Sequence, residues 1–312
     1  VPLYLIARRR LGSDWMAALL AAAFLLYPPL HAPNFSDFHF LTISAFFVLW
    51  AAYFFFAERW VPFWVFVVMA LFCREDLPFG GIGVGLALVL AGHRARVGAA
   101  LFVLSATYLV MVKFVIMPRY GDASFVYIYE KLVAPGEEGF RGVLRTLLTN
   151  PLFVLATILL PEKIPFALHV FVPLAFLPLR VKRFWFLLFP GAFVTLLSTG
   201  YLPVVEIRFQ YVTHFTPYVF IAAVLALEHL GKTVGSIGRA SALGALAAGG
   251  VFGAEPMVRS SAAGLTLQLW LVARDAEGDT SVVLFTGQLP AIMTGDAGLP
   301  EAPPLETLPA LE

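Results

Sequence analysis

Between Val61 and Ala91 the chain is almost wholly apolar, apart from three consecutive residues, Arg74, Glu75 and Asp76. Backbone in so apolar a stretch must satisfy its polar groups internally, which favours helices, and an ionisable side chain at membrane depth costs roughly 2.5 to 3.5 kcal/mol on insertion scales. Three such groups together need partners, water or a functional use.

The rest of the chain has the same character. Hydrophobic residues make up 60% and charged residues 13%, mean hydropathy is +0.85, and the apolar residues come in membrane-spanning blocks. These run from Trp15 to Leu30, Phe40 to Ala57, Val61 to Cys73, Leu77 to Ala91, Val97 to Met117, Ile164 to Leu179, Phe184 to Ser198, His214 to Leu230 and Ala240 to Ala254. The expected fold is therefore an all-α polytopic membrane protein with about nine transmembrane helices. Alternating ten-residue strands of the outer-membrane type are absent from the sequence, which argues against a barrel.

One further apolar block, residues 144–160, decides the orientation of everything after it. Asn150-Pro151 reads as an N-cap and first helical residue, leaving about ten apolar residues before Pro161, or about 15 Å of helix. Half a bilayer is too short to span, so this block is expected to lie along the outer face or to re-enter it. Charge gives the same answer, because short cytoplasmic loops collect Lys and Arg. With the block outside, the inner side carries eleven basic and three acidic residues and the outer side ten and seventeen, a split of +8 against −7. Val1 to Ala7, running into Arg8-Arg9-Arg10, is expected to be the inner end of an earlier span, with at least one helix upstream. A transmembrane domain is expected over 1–255, with an outer loop at about 118–163. A small extracytoplasmic tail follows over 256–312, with strands at Leu265 to Ala273 and Ser281 to Phe285 and a disordered, Pro-rich end.

This topology gathers polar residues on the outer side: Asn34, Asp37 and His39; the Arg74 triplet; Arg119, Tyr120 and Asp122; and Glu206, Arg208, Gln210, Tyr211 and His214. The helices flanking the triplet are short against the roughly 20 residues that cross a 30 Å core, so a recessed, water-filled outer cavity is expected. Plainer readings stand beside this one. The triplet also suits a solvated turn in which Arg74 pairs with its neighbours, Asp37 suits a helix cap, and His214 suits a structural role at a helix start. The Gly81-x-x-x-Gly85 spacing reads as close helix packing rather than a nucleotide loop, and no Walker lysine, His-Glu-x-x-His or Gly-x-Ser-x-Gly motif occurs.

The order of Leu26-Tyr27-Pro28-Pro29, Asp37-Phe38-His39, Arg74-Glu75-Asp76 and Tyr211 with Pro217 resembles a bacterial membrane family, domain of unknown function 2079. The resemblance covers roughly residues 10 to 255. The chain departs from that pattern at Phe40, where Pro is expected, at Arg74 for Lys, and at Gln210 for His. It also lacks a Pro-His-Leu-Ser-like segment after Ala254. The family is distantly similar to the GT-C membrane glycosyltransferases, which take a polyprenyl-phosphate-linked sugar from the outer leaflet and transfer it at the extracytoplasmic face of the bacterial cytoplasmic membrane. The resemblance implies a long outer loop with membrane-parallel helices and a main catalytic acid upstream of Val1.

On that reading Arg74, Arg119 and Arg208 hold the lipid phosphate, since guanidinium forks suit phosphate oxygens, and Tyr211 and His214 complete the substrate-binding set. Asp37, His39, Glu75 and Asp76 are the catalytic candidates that position the acceptor hydroxyl. Asp37 and His39 are the candidate ligands of a divalent cation, Mg or Mn. The expected partners are membrane lipids and a polyprenyl-phosphate sugar donor, with no nucleic acid. A lipid or sugar transporter, or a non-catalytic scaffold for envelope assembly, is the alternative.

Overall fold

A computed structural model of the chain describes residues 1–36, 39–120, 126–133, 139–233, 266–272 and 281–288. The chain divides into two compact units, Val1–Gly250 and Val251–Glu312. Every described element of the first unit is helical.

α1 (Pro2–Leu11) closes on a left-handed Gly12, and α2 (Asp14–Leu25) starts at Ser13, whose Oγ accepts the Met16 N–H at 3.3 Å. Pro28 and Pro29 lack an N–H, so the expected span from Trp15 to Leu30 cannot run as one helix. It stops at Leu25, and α3 (Pro28–Ser36) follows as a separate piece. α4 (Phe40–Phe56), α5 (Trp60–Leu71), α6 (Pro78–Leu90) and α7 (Ala95–Val110) occupy the next four expected spans. α7 continues through a π-helical segment, Met111–Ile116, and a 3-10 turn, Met117–Arg119.

α6 and α7 form the most extensive helix pair, and their glycines explain how. A methyl group on Gly81 would stand 2.0 Å from Ser105 Oγ, and one on Gly85 would stand 2.7 Å from the Gly98 carbonyl and the Phe102 nitrogen. The spacing read as close packing is therefore the seam between these two helices.

After a 3-10 helix at Val126–Leu132 come α8 (Gly139–Thr149) and α9 (Pro151–Ile158). Asn150 caps α9 as expected, its Oδ1 accepting the Phe153 N–H at 3.3 Å. α8 is amphipathic, with Gly142, Val143 and Thr146 buried and Arg141, Leu144, Arg145 and Leu148 exposed, a pattern suited to lying along a surface. The axis turns by 71° between α9 and the next helical run, Lys163–Leu174. The 144–160 block therefore does not continue as a straight crossing.

Two expected spans in the second half are broken. α10 (Lys163–Phe171) and a 3-10 turn at Val172–Leu174 end at left-handed Ala175 and Phe176, with φ of 48° and 55°, before the short α11 (Leu177–Arg180). The block from Phe184 is a 3-10 helix at Lys182–Leu188, the single turn α12 (Phe189–Gly191) and a π-helical segment at Ala192–Leu196. Pro173, Pro178 and Pro190 withdraw N–H donors from these segments. Side chains recover part of the loss: Lys163 Nζ donates to the carbonyls of Thr157 and Leu196, both at 2.6 Å, and Tyr129 Oη donates to the Phe193 carbonyl at 3.2 Å. Irregular backbone of this kind persists at low dielectric only where protein or water satisfies it.

Two 3-10 turns, Leu202–Val205 and Gln210–His214, lead into α13 (Thr216–Thr233). α13 is the axis of the unit. Val219 to Leu227 are all buried, and α1, α4, α11 and the 182–188 helix surround them. The α7 helix is its opposite, with Val103, Val110 and Phe114 exposed as on a lipid-facing surface. Among the described residues, Ala95–Arg119 and Gln210–Lys232 are long and apolar enough to cross a membrane, with a third span if the bent α9–α10 pair counts as one. The span expected at Ala240 to Ala254 lies outside the described residues.

In the second unit β1 (Thr266–Val272) pairs antiparallel with β2 (Ser281–Gln288), Thr266 opposite Gln288 and Val272 opposite Ser281, with a bulge between Leu269 and Trp270. Both strands fall on the segments read as strands, and β2 runs three residues beyond Phe285.

Candidate functional site

Charged side chains in the first unit collect at the two ends of α5, α6, α7 and α13. At one end Arg94 Nη1 donates to the Phe55 carbonyl at 2.8 Å, its Nη2 pairs with Glu58, and its guanidinium lies over the Phe55 and Trp60 rings. Beside it Glu228, nearly buried, accepts from Arg10 Nε at 2.7 Å and Lys232 Nζ at 2.6 Å, while Arg10 lies over Phe56. Arg10, Glu58, Arg94, Glu228 and Lys232 are all counted on the inner side in the expected charge split.

The opposite end holds the Arg74 triplet. The turn between α5 and α6 folds Arg74 back over its own carboxylates, with Nε 3.3 Å from Asp76 Oδ2 and 4.0 Å from Glu75 Oε2. Pairing with neighbours is thus part of its role, as the plainer reading proposes, but the contacts extend well beyond the turn. The Arg74 guanidinium lies over the Tyr211 ring at 4.6 Å, and Glu75 Oε1 meets Lys113 Nζ at 3.3 Å. His214 Nε2 stands 3.2 Å from Asp76 Oδ2. Three chain segments converge here, and the side chains of Arg74, Asp76, Lys113 and His214 are 20%, 14%, 6% and 0% exposed.

The Asp76–His214 approach is close enough for an ion pair once the ring is protonated, yet off the line of a hydrogen bond. Asp76 Oδ1 and both ring nitrogens of His214 are buried with no hydrogen-bond partner among the described residues. An unmade hydrogen bond on a buried polar group costs about 1 to 3 kcal/mol, so these three atoms mark a place where folding leaves polar capacity unused. Burial opposes the charge on Asp76, but His214 and Arg74 outweigh it and hold the carboxyl below its ordinary range. Burial, reinforced by the Asp76 charge, pushes the Tyr129 phenol well above its ordinary range, so it stays a donor to Phe193.

Of the residues singled out in the sequence, Arg74, Glu75, Asp76, Tyr211 and His214 meet in this cluster. Arg208 is not among them: it is exposed and pairs with Glu206 at 2.7 Å. Arg119 is exposed at the end of the helix that carries Lys113, past the cluster on the same side. His39, half-buried with an extended backbone, takes the cap position of α4 that Asp37 was expected to fill, and its carbonyl accepts from Thr42 Oγ1 at 2.7 Å. Asp37 itself, like Asp122, lies outside the described residues. No group of three His, Cys, Asp or Glu able to hold a metal occurs among the described residues.

Sequence reading missed Lys113 and Tyr129. Lys113 carried a usable signal, an ionisable residue inside the apolar run from Val97 to Met117. Its backbone is π-helical, a widening found frequently at functional sites.

Apolar helices, some of membrane-spanning length, define an integral membrane protein of helical type. More particularly, the chain belongs to the family described as predicted membrane protein (DUF2079), which it matches over residues 1–248. No curated protein and no solved structure matches it.

Proposed function

We propose that this protein is a GT-C-like glycosyltransferase of the bacterial cytoplasmic membrane, taking sugar from a polyprenyl-phosphate carrier at the extracytoplasmic face. On this reading about nine spans form the membrane domain, some of them broken, and the Arg74 turn opens outward below the headgroups. The observation that carries the proposal is the unused polar capacity of Asp76 and His214 next to two half-buried cations, Arg74 and Lys113. A ligand with an anionic phosphate and sugar hydroxyls suits such a cluster.

The short helices support a recessed site. α5 has 12 residues and α6 has 13, which at 1.5 Å per residue reach roughly 18 to 20 Å against a 30 Å hydrocarbon core. At that depth each contact to a phosphate oxygen is strengthened by low dielectric. Arg74 is held in place by Tyr211, whose ring lies against the guanidinium, and by Asp76, toward which its Nε is turned. Arg119 and Arg208 lie exposed near the rim, where they suit capture of the lipid phosphate rather than chemistry. A Mg or Mn ion at Asp37 and His39 would supply further neutralisation of the phosphate.

Full-length protein in membranes, supplied with a panel of polyprenyl-phosphate sugars, is expected to release or transfer sugar. Asp76→Ala and Glu75→Ala are expected to lose that turnover. A wild type inert toward the whole panel would overturn the enzyme reading. Broken helices at Ala175 and Phe176 also suit a lipid or sugar transporter, which would move the carrier in the same assay without cleaving it.

A further inference from the structure

We infer that His214 is the general base of this site, taking the proton from the attacking hydroxyl at Nδ1 while Asp76 holds the ring from its Nε2 side. The inference rests on the glycosyltransferase reading and adds a residue role to it. Its first support is geometric. Nε2 lies 3.2 Å from Asp76 Oδ2, so a carboxylate favours the tautomer with hydrogen on Nε2 and leaves a lone pair on Nδ1. A carboxylate behind an imidazole in this way orients and stabilises the imidazolium that forms during catalysis. The second support is that Nδ1, in a residue with 0% exposure, has no hydrogen-bond partner among the described residues, while Nε2 has only its approach to Asp76. A purely structural histidine would bond that nitrogen to backbone or side chain, given the penalty for leaving it bare.

Charge balance gives the third support. Among the described residues, the ionisable groups of the cluster are Asp76, Arg74 and Glu75 from the turn, Lys113 from the α7 extension, and the nearby phenols Tyr129, Tyr211 and Tyr218. Counted over these described residues, Arg74 and Lys113 balance Glu75 and Asp76 while the ring is neutral. A sugar linked through a polyprenyl phosphodiester brings one negative charge. When an acceptor hydroxyl, or water, forms its bond to the anomeric carbon, the bond from that carbon to the phosphate oxygen breaks and the electron pair leaves with the phosphate. The carrier departs as a phosphate monoester with a second negative charge, and the hydroxyl proton moves to His214. The cluster thus gains one positive charge as the phosphate gains one negative, and the stabilisation falls on the transition state rather than the bound donor.

The test uses full-length protein in lipid nanodiscs with two readouts. The first is hydrolysis of polyprenyl-phosphate glucose and mannose, with water as acceptor, as a function of pH. His214→Asn is expected to lower the rate by on the order of 10² or more, as loss of a general base does, and to change the shape of the pH profile. Asp76→Asn, which leaves the ring in place without its carboxylate, is expected to lose at least about tenfold. The second readout is equilibrium binding of polyprenyl phosphate itself. At about pH 8, the upper pH of the series, His214→Asn is expected to bind it as wild type does, since the base acts on the attacking hydroxyl and not on the carrier phosphate. Binding by the variant at the upper pH also shows that it is folded. Wild-type turnover and binding with a fully active His214→Asn would overturn the base assignment and leave the glycosyltransferase reading standing. A wild type that neither binds the carrier nor hydrolyses either donor would overturn both.

Discussion

Gly85→Ala is the sharpest probe of how packing supports the polar cluster. A methyl group there would lie 2.7 Å from the Gly98 carbonyl oxygen and the Phe102 nitrogen and 3.0 Å from Phe102 Cα, all of them backbone atoms that no rotamer change can move. Ordinary contact begins at 3.4 Å, so α6 and α7 must separate by 0.7 Å to admit it. Overpacking of this kind costs about 1 to 3 kcal/mol, while the gain in helix propensity from Gly to Ala returns up to about 1 kcal/mol. The net expectation is a loss of about 1 to 2 kcal/mol, or roughly 2 to 8 °C in the apparent melting temperature of a unit this size. The consequence reaches the site, because α7 carries Lys113 and α6 begins just after Glu75. If the whole shift reaches that end, 0.7 Å added to 3.3 Å opens the Lys113–Glu75 contact to about 4.0 Å. Melting followed by intrinsic fluorescence of the six tryptophans measures the stability term. Gly83→Ala is the control, since its methyl would meet the side-chain ring of Phe189 at 2.6 Å, which can turn away. Gly98→Ala touches the same seam, so the double variant with Gly85→Ala is expected to cost less than the sum of the two. A Gly85→Ala protein as stable as Gly83→Ala would refute the reasoning.

Three other expectations follow from the same structure. Lys163→Met removes the donor to two carbonyls at a broken segment, and at about 1 to 3 kcal/mol for each acceptor left bare it is expected to destabilise the unit strongly, which protease resistance in detergent would register. Arg10→Ala leaves Glu228 with Lys232 as its remaining ion-pair partner; because Arg10 is 36% exposed the expected cost is only about 1 to 2 kcal/mol, and adding Glu228→Gln should restore most of it in the same melting assay. Asp76 has its affinity for protons lowered by folding, so its charge contributes stability that is complete above the ordinary carboxylate range near pH 4 and is lost as pH falls through its lower folded value. Asp76→Asn should therefore flatten the acid end of the stability profile below about pH 4 and leave the alkaline limb unchanged.

Much of the architecture was legible because hydrophobicity and charge are local properties. Block lengths located α4 to α7 and α13, the Asn150-Pro151 pair located a capped helix start, and the Gly81-x-x-x-Gly85 spacing located a helix seam. The breaks at Pro28, Pro173 and Pro190 were also written in the sequence, but hydropathy alone reads across them, since a proline is apolar while the N–H it removes goes uncounted.

The triplet at Arg74 shows where local information stops. Sequence by itself determined that three charges interrupt an apolar run and must find compensation, because the cost of burying them does not depend on which partners repay it. Only the tertiary structure decided the partners: Lys113 from 38 residues along the chain and His214 from far beyond it, while Arg208, equally plausible by charge, stays outside. That choice depends on which helix faces meet at one end of the fold, and so on packing between segments distant in sequence, which no local pattern encodes.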